Sequence, residues 1–441
     1  MEKNTETTLG TEAKKWGPVH LLPGVQPKNM TVYVLGAMFI MLFSTFVPQA
    51  QPYLLNEILH IPTSEQGVLT GTLGLAATIV GLVFPSIWGT MSDKTGRRLV
   101  YALGLFISAL GIAIYPLAGT VVLLFISRMI FSAGSNASTT MSTALLADYV
   151  DNKDRGKAYG MVAMSSGIGA LLTVFVFLKL PSVFTKAGLS AQNAARYSYW
   201  IVAAVGLVAM GFILAGLMGK SQKQAEEKRS ILQLAKEALN AAKTDKGIFL
   251  AYGVTFAATA AITVIGTFFT LWITTYGTTH GGLSSSEALA RAGMIMGMCQ
   301  IMGLVSAPTF GMLADKINRV LAVTIATGLT AVVYALTMLV SNPLAGIMIV
   351  LGLFLGFVQI SGVVTGGALI AQQTPDNVRG SVMGFYGFCG YLGTMLASVL
   401  GGFLFDNWIP QGPFALAAVF CIVVSIWGLL VFLKTRKGAT K

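Results

Sequence analysis

Twelve apolar runs follow one another along this chain, over roughly 30–54, 66–90, 97–116, 120–148, 156–181, 196–219, 247–276, 288–314, 319–339, 343–371, 380–406 and 411–434. A bilayer core about 30 Å thick asks for roughly 20 apolar residues per helix, and each run meets that length. In hydrocarbon only helices and closed barrels leave no backbone group unpaired. The runs are continuous rather than alternating, which excludes a barrel. The chain therefore reads as an all-α membrane protein with twelve transmembrane helices. Composition says the same. The 441 residues are 54% hydrophobic and 10% charged, with a mean hydropathy of +0.73. A soluble domain carries about a quarter charged residues.

The formal net charge of +12 does not imply a nucleic-acid partner, because of where the charges fall. With the N-terminus placed inside the cell, 24 of the 29 basic residues lie before the first run, in alternate loops or after the last run. They include Lys28, Lys94, Arg97, Arg98, Lys153, Lys157, Lys228, Lys316, Arg319, Arg379 and Lys434. Four lie in the other loops (Lys179, Lys186, Arg196, Arg291), and Arg128 falls within a run. That split follows the positive-inside rule, so both termini are expected in the cytoplasm. The first 29 residues are polar and show no cleavable signal peptide. His20, His60 and His280 lie outside the runs and read as solvated loop residues. Cys299, Cys389 and Cys421 fall inside runs, without metal spacing or a disulfide framework.

The longest interior polar segment divides six runs from six. The expected organisation is a cytoplasmic tail 1–29, a six-helix bundle 30–219, a cytoplasmic loop 220–246, a second bundle 247–434 and a tail 435–441. Within the loop, Ile231, Leu232, Ala235, Leu239 and Ala242 recur at helical spacing behind Ser230. That pattern suits either a helix lying on the inner membrane surface or a partly helical solvated linker. The halves echo each other. Gly89, Asp93, Lys94 and Arg97 recur as Gly311, Asp315, Lys316 and Arg319, 222 residues on. Arg155, Gly156 and Gly160 recur as Arg379, Gly380 and Gly384, 224 residues on. Two matches at nearly one offset imply a duplicated unit, hence two pseudo-symmetric six-helix bundles.

The loop between the second and third runs reads GTMSDKTGRR, with Gly89, Asp93, Lys94, Gly96, Arg97 and Arg98. This resembles the G-x-x-x-D-[RK]-x-G-R-[RK] motif of the major facilitator superfamily, in that family's own topological slot. The second copy departs from it, with Asn318 and Val320. The resemblance implies a gate: such loops latch the two halves at the cytoplasmic face and release as that face opens. Asp93 and Arg97 are four residues apart, a spacing that pairs charges on a helix. Asp148 ends the fourth run at the same surface. The expected arrangement joins Arg97 to both Asp93 and Asp148, with Asp315, Lys316 and Arg319 as the second-half counterpart.

Charges within a span are expensive and mark function. Arg128 is the clear case. Ser132, Ser135, Thr139 and Ser142 follow it at offsets 4, 7, 11 and 14, within roughly 40° on a helix of about 100° per residue. This is a polar stripe suited to a water-filled cavity. The match to the superfamily's R-x-x-x-G-x-G motif is partial: Arg128 and Gly134 fit, and Ser132 replaces the first glycine. By resemblance such an arginine often serves proton-coupled carriers, working with an acid on the first span. Here the first span offers Gln49 and Gln51, with Glu57 only near its outer end, so coupling to H+ is left open. The Gly-Pro motif of drug–proton antiporters is missing; Met164, Ser165, Ser166 and Gly167 stand there. The second half offers Tyr252, Thr255, Thr259, Thr263, Gln300, Gln359, Tyr386 and Tyr391 as further candidates to line a pore.

The resulting expectation is a secondary carrier, a symporter or other coupled or uncoupled type. It would move a small polar or anionic organic solute by alternating access, as a monomer in a bacterial inner membrane. A positive charge without a partner acid disfavours lipophilic cations. The alternative within the superfamily is a multidrug exporter, and outside it a non-transporting receptor or scaffold. No catalytic residue, metal or cofactor is expected, and no P-loop is present.

Overall fold

A computed structural model describes residues 14–219 and 231–438. Ser230 and the loop charges Lys220, Lys223, Lys228 and Arg229 lie outside these. Twelve described helices are long and apolar enough to cross a bilayer. In the first half they are Pro27–Glu57, Thr63–Thr95, Arg97–Leu117, Val121–Tyr149, Arg155–Lys186 and Ala191–Gly216. In the second they are Lys246–Thr279, Ser285–Lys316, Arg319–Thr337, Ile347–Gln373, Arg379–Asn407 and Gly412–Lys434. We number them spans one to twelve. Odd spans lead away from the face that holds the ends of the described chain, here the terminal face, and even spans return from the far face. Apolar side chains such as Val83, Val208, Phe354 and Ile426 stand exposed, a surface that only lipid would cover at low cost.

Both halves pack alike. Span one lies against span five and span three against span six; span seven lies against span eleven and span nine against span twelve. Small residues permit these close approaches in lipid, where dispersion rather than hydrophobicity holds helices together. Gly169 on span five faces the Met38 carbonyl of span one, and Gly393 on span eleven faces the Phe256 carbonyl of span seven. A Cβ at either position would overlap that oxygen. Threonine hydroxyls tie the same seams: Thr173 donates to the Leu42 carbonyl at 2.9 Å, and Thr259 to the Gly390 carbonyl at 2.7 Å.

The halves meet at the far face, where span two meets span eleven and span five meets span eight. Gly71 abuts the Ser398 carbonyl, Gly402 abuts Gly67, and the Phe175 ring covers Gly297. Toward the terminal face the space opens. Gly89, Gly160 and Gly384 have nothing where a Cβ would project, and Tyr159 and Met164 are each 67% exposed. The molecule is thus shut at the far face and open at the terminal face. Two helical irregularities fall in the membrane: a π turn at Ile265–Phe269 in span seven, and a break at Ile360 in span ten. Such turns often mark functional positions.

Residues 14–25 are more than the plain tail the sequence suggests. Lys15–Trp16 pairs with Val19–His20 as a small hairpin, and Leu21 bridges to Val150. Val19, Leu21 and Val25 are buried, so the hairpin docks on the loop between spans four and five. Asp154 fixes it, accepting the His20 backbone N–H at 2.9 Å and Lys157 Nζ at 2.7 Å, with His20 Nδ1 at 2.6 Å. His20 is therefore a bonded residue rather than a solvated one. Lys157, then the His20 ring and backbone, hold the Asp154 carboxyl well below the usual carboxylate range. A depressed acid contributes stability above its unfolded value of about 3.9 and loses it as pH falls through the folded value. Hydrogen-exchange protection of residues 16–21, corrected for intrinsic rate, is expected to be equal at pH 7 and pH 5. Asp154→Asn should lower it at both; equal protection in that variant would contradict this role.

The loop helix Ile231–Thr244 packs against spans seven and eleven rather than on the membrane surface or free in solvent. Ala238 and Ala242 are buried there. Ser381 Oγ donates to Glu237 at 2.6 Å, and Tyr252 Oη donates to the Ala238 carbonyl at 3.3 Å.

Candidate functional site: a polar cavity between the halves

A cavity of about 360 Å³ lies between the two bundles. The first half lines it with Ser44, Thr78, Arg128, Ser132, Ser135 and Asn136, the second with Thr263, Thr267, Tyr391, Thr394 and Ser398. Among the described residues, no acid lines it. Helical period explains the first-half wall, since Arg128, Ser132 and Ser135 share one stripe of span four. The π turn presents Gly266 and Thr267 from span seven. The hydroxyls are tied lightly: Ser44 to Ser135 at 3.1 Å, and Thr263 to Thr394 at 3.2 Å. Asn136 donates to the Ser132 carbonyl at 2.8 Å.

Arg128 is the only charged side chain among the described residues that line this cavity. Its Nε and Nη1 are buried and make no hydrogen bond. The guanidinium carbon stands 5.8 Å from the Phe131 ring centre, and Tyr115 lies alongside. Behind it, Tyr115 Oη donates to Gln51 Oε1 at 3.1 Å, and Gln51 Nε2 donates to Thr70 Oγ1 at 2.8 Å. The site thus offers a cationic fork with spare donors and a ring of neutral groups that can donate or accept.

Of the pore candidates read from the sequence, Arg128, Ser132, Ser135, Thr263 and Tyr391 line this cavity. Others stand elsewhere. Gln51 is spent on the Thr70 and Tyr115 bonds that support Arg128, and Gln49 is buried outside the lining. Thr139 is exposed one turn past Ser135, toward the open face, and Ser142 is buried. Tyr252 turns to the loop helix, and Thr259 is bonded between spans seven and eleven. Thr255 is buried outside the lining, as is the partnerless Tyr386 hydroxyl. Gln300 is half-buried outside it, and Gln359 lies 3.8 Å from Cys299 Sγ at the span-ten break. Sequence reading missed Asn136, Thr394 and Ser398. Asn136 sits eight residues past Arg128, about 80° round the helix and at the stripe's edge. Thr394 and Ser398 face inward only because of how span eleven is turned, which one helix's sequence does not reveal.

At the terminal face Arg97 Nε meets Asp148 at 2.5 Å, with side chains 18% and 8% exposed. Asp93 does not join this pair; it stands exposed, as do Lys94, Asp315 and Lys316. The four-residue pairing rule needs one continuous helix. Span two ends at Thr95, and Gly96 turns the chain with φ +92°, so Asp93 and Arg97 belong to different helices. The Gly219 carbonyl closes over Gly96, and Arg98 lies beside Gly219. In the second half Arg319 Nη1 donates to the Ala368 carbonyl at 2.9 Å instead of meeting an acid. A double-mutant cycle of Arg97→Ala and Asp148→Ala, read by apparent melting in detergent, is expected to give a coupling of about 1–3 kcal/mol. Additive losses would show that the pair contributes nothing of its own.

Two matched six-helix bundles, shut at one face over a polar cavity and parted at the other, are the build of a membrane transporter rather than an enzyme. The family comparison makes this specific. The chain belongs to the Major Facilitator Superfamily, whose pattern matches residues 32–362 and 283–441. It is 25% identical over 410 residues to magnetosome protein MamH of Paramagnetospirillum magneticum strain AMB-1, covering 91% of this chain and 92% of that relative. Among solved structures, a point mutant of the nucleoside transporter NupG superposes with TM-score 0.72 at 15% identity, over 92% of this chain and 100% of that one. A bacterial homologue of the human lysosomal transporter Spinster does so with TM-score 0.68 at 14% identity, over 92% and 97%. The shared fold makes this chain a multi-pass integral membrane protein.

Proposed function

We propose that this transporter is a secondary carrier for small anionic or neutral polar organic solutes, working by alternating access. The observation that carries the reading is Arg128. It is a buried guanidinium with unused donors, facing an enclosed space of 360 Å³ that has hydroxyls and an amide but no acid on its described walls. A carboxylate or phosphate would complete its hydrogen bonds in fork geometry. A lipophilic cation would bring a second positive charge into a low-dielectric space. The lysine and arginine distribution supports a cytoplasmic terminal face, so the structure corresponds to an inward-open state. A bacterial inner membrane is the location we assign to it. Asp93, Lys94, Arg97, Arg98, Asp148, Asp315, Lys316 and Arg319 then form the cytoplasmic gate, parted here. Coupling to H+ remains part of the proposal rather than of the site, since no acid lines the cavity among the described residues.

Uptake by proteoliposomes, using radiolabelled organic anions, neutral sugars and nucleosides, and cationic dyes, tests the reading. Saturable uptake of an anion or neutral polar solute is expected. Transport of the dyes in preference to both would contradict it and favour a multidrug exporter.

A further inference from the structure

The far-face closure contains a charged bond that the cavity does not explain. Span two starts without a cap of its own, since Glu65 at its N-cap makes no side-chain bond to the helix. The free backbone donors are met from the other half. Asp406, at the end of span eleven, accepts the Gly67 N–H at 2.8 Å and the Val68 N–H at 2.6 Å. The seam beneath is lined by Gly67, Gly71 and Gly402, which bring the two backbones together. The related seam between spans five and eight is built differently. Span eight caps itself through Ser284 and Glu287, and the cross-half bond there is a neutral one, Thr185 to Ser286 at 3.2 Å.

From this asymmetry we infer that Asp406 is the far-face latch of the carrier, a positioning residue that holds the inward-open state. Two charge-assisted bonds aimed at a helix N-terminus are stronger than a hydroxyl pair, and the macrodipole adds to them. Outward opening separates span two from span eleven at this end. It must therefore break both bonds and leave the first turn of span two uncapped. Asp406 touches neither the cavity lining nor any solute placed there, so it sets the balance between states rather than the affinity for cargo. This inference rests on the alternating-access reading above.

The test places spin labels at Ser64→Cys and Asn407→Cys, both exposed and flanking the seam. Cys299, Cys389 and Cys421 are replaced by alanine, and distances are measured by electron double resonance in lipid nanodiscs. Wild type is expected to show a dominant short distance and a minor long one. Asp406→Ala should raise the long population about tenfold, Asp406→Asn somewhat less, and Asp406→Glu within about threefold of wild type. Thr185→Ala should shift it far less than Asp406→Ala. All variants should elute as wild type on gel filtration, which excludes misfolding as the cause. A long population present in wild type but changed less than about twofold by Asp406→Ala would overturn the latch alone. A single short distance in wild type and in every variant would count against alternating access itself.

Discussion

Arg128→Ala is expected to abolish saturable uptake of the transported anion while leaving the folded protein at least as stable. Truncating one partner of a buried charge pair costs about 2–5 kcal/mol, which corresponds to a loss of roughly thirtyfold or more in apparent affinity. Stability should not fall, because Nε and Nη1 make no bond in the empty cavity. Removing them takes away an uncompensated charge rather than a support. Arg128→Lys keeps the charge but not the planar fork, and should fall between wild type and alanine. Uptake kinetics and apparent melting temperature, measured on the same preparations, separate the two roles. Parallel loss of melting temperature and uptake in Arg128→Ala would show that the arginine is structural. Uptake unchanged within about threefold would remove it from the site.

Gly393→Val is expected to prevent assembly of the second bundle. The glycine lies against the Phe256 carbonyl, and Thr259 Oγ1 is close by, so an added side chain meets backbone that cannot rotate away. Overpacking costs about 1–3 kcal/mol where side chains can yield, and more where two helix backbones must move apart. Gly169→Val faces the Met38 carbonyl in the matching place and should behave the same way. The series Gly393→Ala, Gly393→Val and Gly160→Val separates crowding from helix propensity. Gly160 opens on free space, so its valine variant should fold. Size-exclusion profiles from fluorescent fusions would record a monodisperse peak for Gly160→Val and aggregate for Gly393→Val. A monodisperse Gly393→Val would mean that spans seven and eleven approach less closely than described.

What was readable in the sequence follows from what each signal depends on. The twelve spans depend on local hydropathy, and the duplication on residues repeated at a fixed offset, so both are visible in one dimension. Arg128, Ser132 and Ser135 were also legible, because a stripe on one helix is a local pattern. Thr394 and Ser398 were not, because their place in the cavity is set by how span eleven is rotated against span seven. Gln51 looked like a pore residue for the same reason that any buried amide does. Its bonds to Thr70 and Tyr115 come from spans two and three, and only packing reveals them. The Asp93–Arg97 pairing failed at Gly96, where the left-handed turn ends one helix before the second charge is reached. Asp406 carried no sequence signal at all, since a single acid near a span end reads as an ordinary boundary residue. Its meaning lies in a partner 339 positions away along the chain.

Accessibility of a cysteine placed at Ser135 tests the central claim most directly, since that residue lines the cavity between the halves. The measurement uses oriented vesicles, a membrane-impermeant maleimide on one side at a time, and a background without the three native cysteines. Alternating access predicts labelling from both faces, faster from the cytoplasmic face and slowed there by a transported anion. Labelling from one face only, however long the exposure, would contradict the account.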